Sequence, residues 1–142
     1  MTAAVLKRVA ARQGLIFAYI DFDYTMLVSG SGVSGIEVPQ NAVVFEGSII
    51  VDTAWNSATS DVLSIGDAGS TARYLSAHTI AATGRTAIVP TGFVYTTPTL
   101  ISLLWTGVGA VPTAGNGTLE LAYYVRGRDQ FSQGLDYGSR LA

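Results

Sequence analysis

The sequence contains no cysteine, one histidine and one lysine, and only 13% of its 142 residues are charged. Without cysteine, the chain can form neither a disulfide framework nor a thiolate metal site. The formal net charge of −2 disfavours a nucleic-acid-binding protein, which needs a basic surface to displace counterions from phosphates. No apolar run reaches the ~18 residues of a membrane span, and the first residues do not form a signal-peptide pattern. We therefore expect neither a nucleic acid nor a membrane as a direct partner.

Alternating apolar and polar residues dominate what remains, beginning with segment 17–27, FAYIDFDYTML. From Ala18 to Val28 every even position is apolar, whereas Asp21 and Asp23 occupy odd positions. A period of two is typical of a half-buried strand, because successive side chains point to opposite faces of a sheet. We predict a strand here, with both aspartates directed away from the core.

Further strands are predicted along the rest of the chain. Segment 41–55 predicts a second long strand with a β-bulge at Gly47. Its predicted inward residues are Val43, Phe45, Ile49, Val51 and Trp55. Residues 29–35, SGSGVSG, predict a flexible loop, and residues 66–69 predict a tight turn. The remaining strand candidates are a short strand ending at Ile65, a segment through Tyr74 and Leu75, and the ranges 86–89, 93–97 and 100–106.

The clearest hairpin signal joins segment 100–105, LISLLW, to segment 119–126, LELAYYVR. The link between them is rich in glycine and proline and ends in Asn116-Gly117, a dipeptide that tolerates positive φ. LISLLW is also compatible with a short buried helix. The inward face of the second strand is predicted to consist of Leu119, Leu121, Tyr123 and Val125.

About eight strands with a turn signal roughly every ten residues, and no central helix, predict an all-β protein. We expect a single antiparallel β-sandwich or jelly-roll domain over residues 15–126. Residues 1–14 form a predicted N-terminal arm, of which residues 2–12 favour a helix by propensity. Residues 127–142 lose the alternation and form a predicted extended C-terminal tail.

The stretch DFDYT at 21–25 resembles the nucleophile motif of haloacid dehalogenase-type phosphatases. That chemistry needs a second acidic residue, Mg²⁺ and a lysine to neutralise the developing charge. VPTG at 89–92 and GDAGST at 66–71 match the other motifs only in part, and Lys7 precedes the nucleophile instead of following it. The parallel α/β sheet that the motif requires is not encoded either. We therefore predict a non-enzymatic protein without a cofactor or metal.

Three other patterns have simpler structural interpretations. His78 is the only histidine, which favours a structural role over a catalytic triad. GDAGST offers one carboxylate where a calcium loop needs several, so a turn is favoured. Residues 116–118, NGT, match the glycosylation pattern, but the hairpin signal uses the same residues. A carbohydrate-binding platform is the alternative to core packing for Trp55, Trp105, Tyr123 and Tyr124.

With these motifs excluded, the order of strands resembles that of jelly-roll cement or decoration proteins of tailed bacteriophages. The resemblance covers about residues 35–130 and is carried by VVFEGSIIVDTAW, DVLSIGDAGSTARYL and GTLELAYYVRGRDQF. It implies a structural virion protein on the outer capsid surface that binds the major capsid protein and clamps neighbouring subunits. It also implies a dimer or trimer.

Cationic residues concentrate near the two ends of the chain, where basic segments often bind acidic partners. The alternative is that these basic segments are exposed and solvated and bind no partner. The candidate contacts with the capsid or with neighbouring subunits are Lys7, Arg8, Arg12, Arg126, Arg128 and Arg140. A host-facing head fibre or a receptor- or glycan-binding module is the second functional hypothesis, because jelly rolls support many functions.

Overall fold

The computed structural model describes residues 14–127, which form eight β-strands. This part of the chain contains no helix, and hence no helix that could cross a membrane. The strands are β1 (Ile16–Asp23), β2 (Gly32–Val38), β3 (Ala42–Thr53), β4 (Ser60–Gly66), β5 (Leu75–Thr79), β6 (Gly84–Ala87), β7 (Thr99–Val108) and β8 (Asn116–Val125).

The strands form two four-stranded antiparallel sheets, with the orders β1-β8-β3-β6 and β2-β7-β4-β5. Each strand from the first half of the chain pairs with its counterpart from the second half: β1 with β8, β2 with β7, β3 with β6 and β4 with β5. This nested pairing across two packed sheets is the jelly-roll topology. The predicted all-β fold class is confirmed.

The predicted arm and tail fall almost wholly outside the described residues. Of residues 1–14 only Gly14 is described, and of residues 127–142 only Gly127. The domain boundaries therefore stay a prediction, as does the helix at 2–12.

The core lies between the two sheets and is built from alternate residues of their strands. On β8 the four residues predicted to face inward are all buried: Leu119, Leu121, Tyr123 and Val125. The corresponding buried residues of β7 are Ile101, Leu103 and Trp105. Full burial of a side chain such as Leu or Ile contributes roughly 1.5–3 kcal/mol. These two rows, one from each sheet, belong to a single hydrophobic cluster that holds the sheets together.

β1 follows the predicted alternation only up to Asp23, where the strand ends. Asp23 Oδ1 accepts hydrogen bonds from the backbone N–H groups of Thr25 (2.8 Å) and Met26 (3.2 Å). This local turn replaces the period of two. Met26 and Val28, which the alternation placed in the core, are therefore 44% and 64% exposed, and Leu27 is buried instead.

The predicted inward position of Phe45 is wrong: its side chain is 53% exposed. The register of β3 shifts between Val44 and Glu46, so the bulge lies at Phe45 and not at Gly47. The extra residue disrupts the alternation locally. Gly47 has a different role, because a Cβ atom at this position would lie 2.4 Å from the Glu120 carbonyl oxygen of the neighbouring strand.

The predicted hairpin between the segments that form β7 and β8 is wrong, since the two strands belong to different sheets. Residues 109–115 pass from one sheet to the other. The crossing begins and ends with glycines at positive φ, 111° for Gly109 and 145° for Gly115. A Cβ atom on Gly115 would lie 2.4 Å from the Trp55 ring, so this close passage requires glycine. LISLLW is part of strand β7 and not a helix.

Two further local predictions are corrected by pairing partners distant in sequence. Residues 32–35, predicted as loop, belong to β2, which pairs with β7. Gly35 lies so close to β7 that a Cβ atom would be 2.7 Å from the Ile101 carbonyl oxygen. Segment 93–97, predicted as a strand, contributes only an isolated bridge between Val43 and Val94.

Leu103 and Leu100 provide a test of the core within one strand. Leu103 is 0% exposed and Leu100 is 42% exposed. We expect Leu103→Ala to lower the free energy of unfolding by about 2–5 kcal/mol, because it leaves a cavity between the sheets. Leu100→Ala should cost less than about 1 kcal/mol. Urea unfolding followed by tryptophan fluorescence measures both; equal losses would contradict this assignment of the core.

Candidate interaction surface

A groove of about 870 Å³ lies on the outer face of the β1-β8-β3-β6 sheet. Its aromatic wall is formed by Phe17 and Tyr19 of the edge strand β1, which are 74% and 72% exposed. Large apolar side chains left in solvent on one face are typical of interaction sites. The groove is therefore the strongest candidate surface for a partner in residues 14–127.

Polar side chains line the floor and the far wall of the groove. Ser48 donates a hydrogen bond to Glu120 Oε1 (2.7 Å), and Arg85 donates to Ser48 Oγ (2.9 Å) and to Glu120 Oε1 (2.8 Å). The ion pair is solvent-exposed and contributes at most about 1 kcal/mol. Glu46 and Asp21 also line the groove. Because Arg85 is the only cationic residue among the lining residues, three carboxylates give the groove a net negative charge.

The two ends of the chain leave the sandwich side by side. β1 begins where β8 ends, since Ile16 pairs with Tyr123. Arg126 is exposed just beyond the end of β8, and its backbone N–H donates to the Asn41 carbonyl oxygen (2.9 Å). The other five candidate contacts lie outside the described residues: Lys7, Arg8, Arg12, Arg128 and Arg140. The structure thus brings the starting points of the two basic segments to one end of the first sheet.

The opposite end of β1 carries the aspartates of the phosphatase-like stretch. Asp21 Oδ1 accepts a hydrogen bond from Thr118 Oγ1 (2.6 Å), and Asp23 caps its own turn. Together with Asp52 they line a second, smaller pocket of about 480 Å³. Within residues 14–127, no group of three or more acidic or histidine side chains is arranged to hold a metal ion.

A buried polar network fixes two loops that follow β4 and β6. Asp67, 3% exposed, accepts hydrogen bonds from Arg73 Nε (2.5 Å), Arg73 Nη2 (3.1 Å) and Tyr95 Oη (2.7 Å). The hydroxyl groups of Tyr95 and Tyr74 are 2.7 Å apart, and the Arg73 guanidinium lies 3.7 Å from the centre of the Phe93 ring. One carboxylate therefore ties the 67–74 turn to the segment around residue 95.

The pKa of Asp67 shows which of two opposing effects is larger. Burial acts to raise this pKa, but the hydrogen bonds from Arg73 and Tyr95 outweigh burial and lower the pKa to about 2. The carboxylate is thus charged and structural. The predicted turn at 66–69 is confirmed, and its single aspartate accepts hydrogen bonds from Arg73 and Tyr95.

The remaining sequence candidates have structural environments. His78 Nε2 lies 3.0 Å from Thr86 Oγ1, joining β5 to β6 across the two sheets. Residues 116–118 start β8 and are paired on both sides. Of the possible carbohydrate platform, Trp55, Trp105 and Tyr123 are buried, so core packing holds for these three.

Sequence reasoning missed the aromatic wall of the groove. The odd-position argument that turned Asp21 outward applies equally to Phe17 and Tyr19, which share its face of β1. The alternation in FAYID therefore contains the signal that places both rings in solvent.

Comparison with known proteins finds no matching family model and no matching curated protein. Solved structures do match. A chain of the cyanophage Pam1 capsid asymmetric unit matches with a TM-score of 0.64 and 22% identity, over 87% of this chain and 97% of that chain. A chain of the acidic stable capsid structure of Helicobacter pylori bacteriophage KHP30 matches with a TM-score of 0.64 and 14% identity, over 81% and 90%.

A chain of the capsid of Ralstonia phage GP4 matches with a TM-score of 0.60 and 18% identity, over 89% of this chain and 93% of that chain. The protein shares its fold with chains of phage capsid structures. At these identities the likeness establishes the fold, and it extends over nearly the whole length of each matched chain.

The Asp67 network predicts a specific loss of stability in acid. A carboxyl with a folded pKa near 2 and an unfolded pKa near 3.9 stabilises the fold fully above pH ~4, and this contribution, about 2 kcal/mol, is lost as the pH falls toward 2. We expect Asp67→Asn to lack this contribution. Its stability deficit relative to the unmodified protein should therefore shrink by about 2 kcal/mol between pH 6 and pH 2.

Urea unfolding at a series of pH values measures this difference. Asp52→Asn, which changes an exposed aspartate, is the matched control. A deficit of Asp67→Asn that stays constant from pH 6 to pH 2 would show that the carboxylate has no depressed pKa.

Proposed function

We propose that this protein is a non-enzymatic structural component of a phage capsid, which binds the major capsid protein on the outside of the shell. The observation that carries the proposal is the match of nearly the whole chain to chains from three phage capsid structures. Because 90% or more of each matched chain is covered, the likeness is to nearly the whole of each capsid chain and not to one domain of a larger one. The resemblance of the strand order to cement proteins supports the finer role.

The proposed mechanism is a shift of the assembly equilibrium. A protein that binds an assembled lattice and not its separate subunits stabilises the lattice by mass action. Many copies of a modest contact are sufficient, because neighbouring contacts act together. This mechanism requires exposed contact surfaces and no catalytic group.

The two basic ends provide the proposed contacts with the shell or with neighbouring subunits. Their starting points lie together at the Ile16–Tyr123 end of the first sheet, so one end of the sandwich would present the positive charge. Arg126 is exposed at this position. We place Lys7, Arg8, Arg12, Arg128 and Arg140 in the same contact, with a dimer or trimer as the proposed unit on the shell.

The first test is quantitative mass spectrometry on density-gradient fractions of particles from the native source. We expect the protein to migrate with megadalton particles, in a fixed ratio to a major shell protein. Recovery in the light fractions alone would contradict the capsid role.

The second test uses purified particles stripped of this protein and supplied with variants. Deletion of residues 1–14 and 127–142 should abolish rebinding, because it removes five of the eight Lys and Arg residues. Leu100→Ala, on the outer face of the other sheet, should rebind normally. Unchanged rebinding of the truncated protein, with its fold confirmed by circular dichroism, would assign the contact to the β-sandwich instead.

A host-facing glycan-binding role is the second candidate, and the groove favours it. Exposed aromatic rings beside polar side chains can stack on sugars and bond to their hydroxyl groups, and Tyr19 lies next to Glu120 in the register of β1 and β8. Glycan-array binding that is lost on Tyr19→Ala, together with no binding to particles, would favour this role over the capsid contact.

A further inference from the structure

We infer that the groove on the first sheet binds residues 1–13 of a second copy of this chain. The inference rests on the proposed function and deepens it, because links between neighbouring copies would strengthen a shell component. It specifies which surface receives the basic N-terminal segment.

The groove requires a partner that is both basic and apolar. Its carboxylates come from Asp21, Glu46 and Glu120, and its single cation, Arg85, already bonds to one of them. Phe17 and Tyr19 supply exposed aromatic surface beside these charges. A cationic segment with apolar side chains would neutralise the carboxylates and cover the exposed aromatic rings.

The same charges argue against direct contact between two identical faces. In a symmetric dimer the groove of one copy would oppose the groove of the other. Carboxylates would then face carboxylates, and such like-charge contacts are costly when water is excluded. The occupant must therefore come from a different part of the partner molecule.

Residues 1–13, MTAAVLKRVAARQ, have the required composition. They contain three cationic residues, no acidic residue, and the larger apolar side chains of Val5, Leu6 and Val9. The other terminal segment, 128–142, balances two arginines with two aspartates. Thirteen residues reach up to about 43 Å when extended, whereas the wall from Phe17 to Asp21 spans roughly 17 Å of strand.

The path of the chain favours a segment from a second copy. The wall of the groove begins at Phe17, immediately after the first residue of β1. Gly14 and Leu15 precede β1 and do not line this wall, and Leu15 and Ile16 are half-buried. The same chain would have to reverse within residues 12–14 to enter its own groove, whereas a neighbouring copy needs no reversal.

Disulfide trapping between two single-cysteine variants tests the inference, because the natural chain has no cysteine. Full-length Val9→Cys, labelled with ¹⁵N, is mixed at high concentration and low salt with full-length Ala87→Cys. Ala87 is an exposed, small residue on the groove wall. Thr106→Cys, at an exposed position on the outer face of the other sheet, is the matched control.

We expect the labelled–unlabelled heterodimer to form about tenfold more with Ala87→Cys than with Thr106→Cys, because the cationic segment would pair with the carboxylates that Arg85 leaves unpaired in the groove. Raising the salt to 1 M should remove most of this preference by screening. Thr118→Cys, also on the groove, provides a second position if Ala87→Cys does not fold.

Equal heterodimer yields with groove and control positions would overturn the inference. A Val9→Cys/Ala87→Cys double variant that closes mainly within one chain would also overturn it, because the segment would then occupy its own groove. The gradient experiment on native particles is independent of these results, so a failure here is distinguishable from a failure of the proposed capsid role.

Discussion

The fold depends on one requirement, that the apolar inward faces of β8 and β7 cover each other. These strands are central in their sheets, and each has two paired neighbours. Because β7 and β8 are consecutive in the chain but belong to different sheets, the core can form only if the chain crosses between the sheets after β7. The crossing at 109–115, with its glycines at positive φ, meets this requirement.

Local signals predicted the fold class well and predicted pairing poorly. The alternation in β8 identified its buried face, because a period of two is a property of the strand itself. The partner of a strand is not encoded in the same way. Asn116-Gly117 suggested a hairpin, but the packing of Gly115 against Trp55 directs the chain to the other sheet. The bulge at Phe45 was misplaced for a similar reason, since the register of β3 is set by β8.

Part of the candidate surface could be predicted from the sequence. Phe17 and Tyr19 share a face with Asp21, so the alternation alone placed them in solvent. The Asp67 network was not predictable from local patterns, because Tyr95 lies 28 residues from the carboxylate that it bonds. Arg85 and Glu120 are 35 residues apart and meet only because β6 and β8 both flank β3.

The two ion pairs within residues 14–127 show how burial separates a structural role from a role in interaction. Asp67 is 3% exposed and its pair with Arg73 is linked to Tyr95, so its bonds fix loops within the domain. The Arg85–Glu120 pair, at 68% and 39% exposure, adds little stability and leaves its charges accessible. Its position beside exposed aromatic rings makes it useful chiefly when a partner excludes water from the groove. The described part of the chain thus uses the buried pair for folding and keeps the exposed pair at the surface where we place its partner.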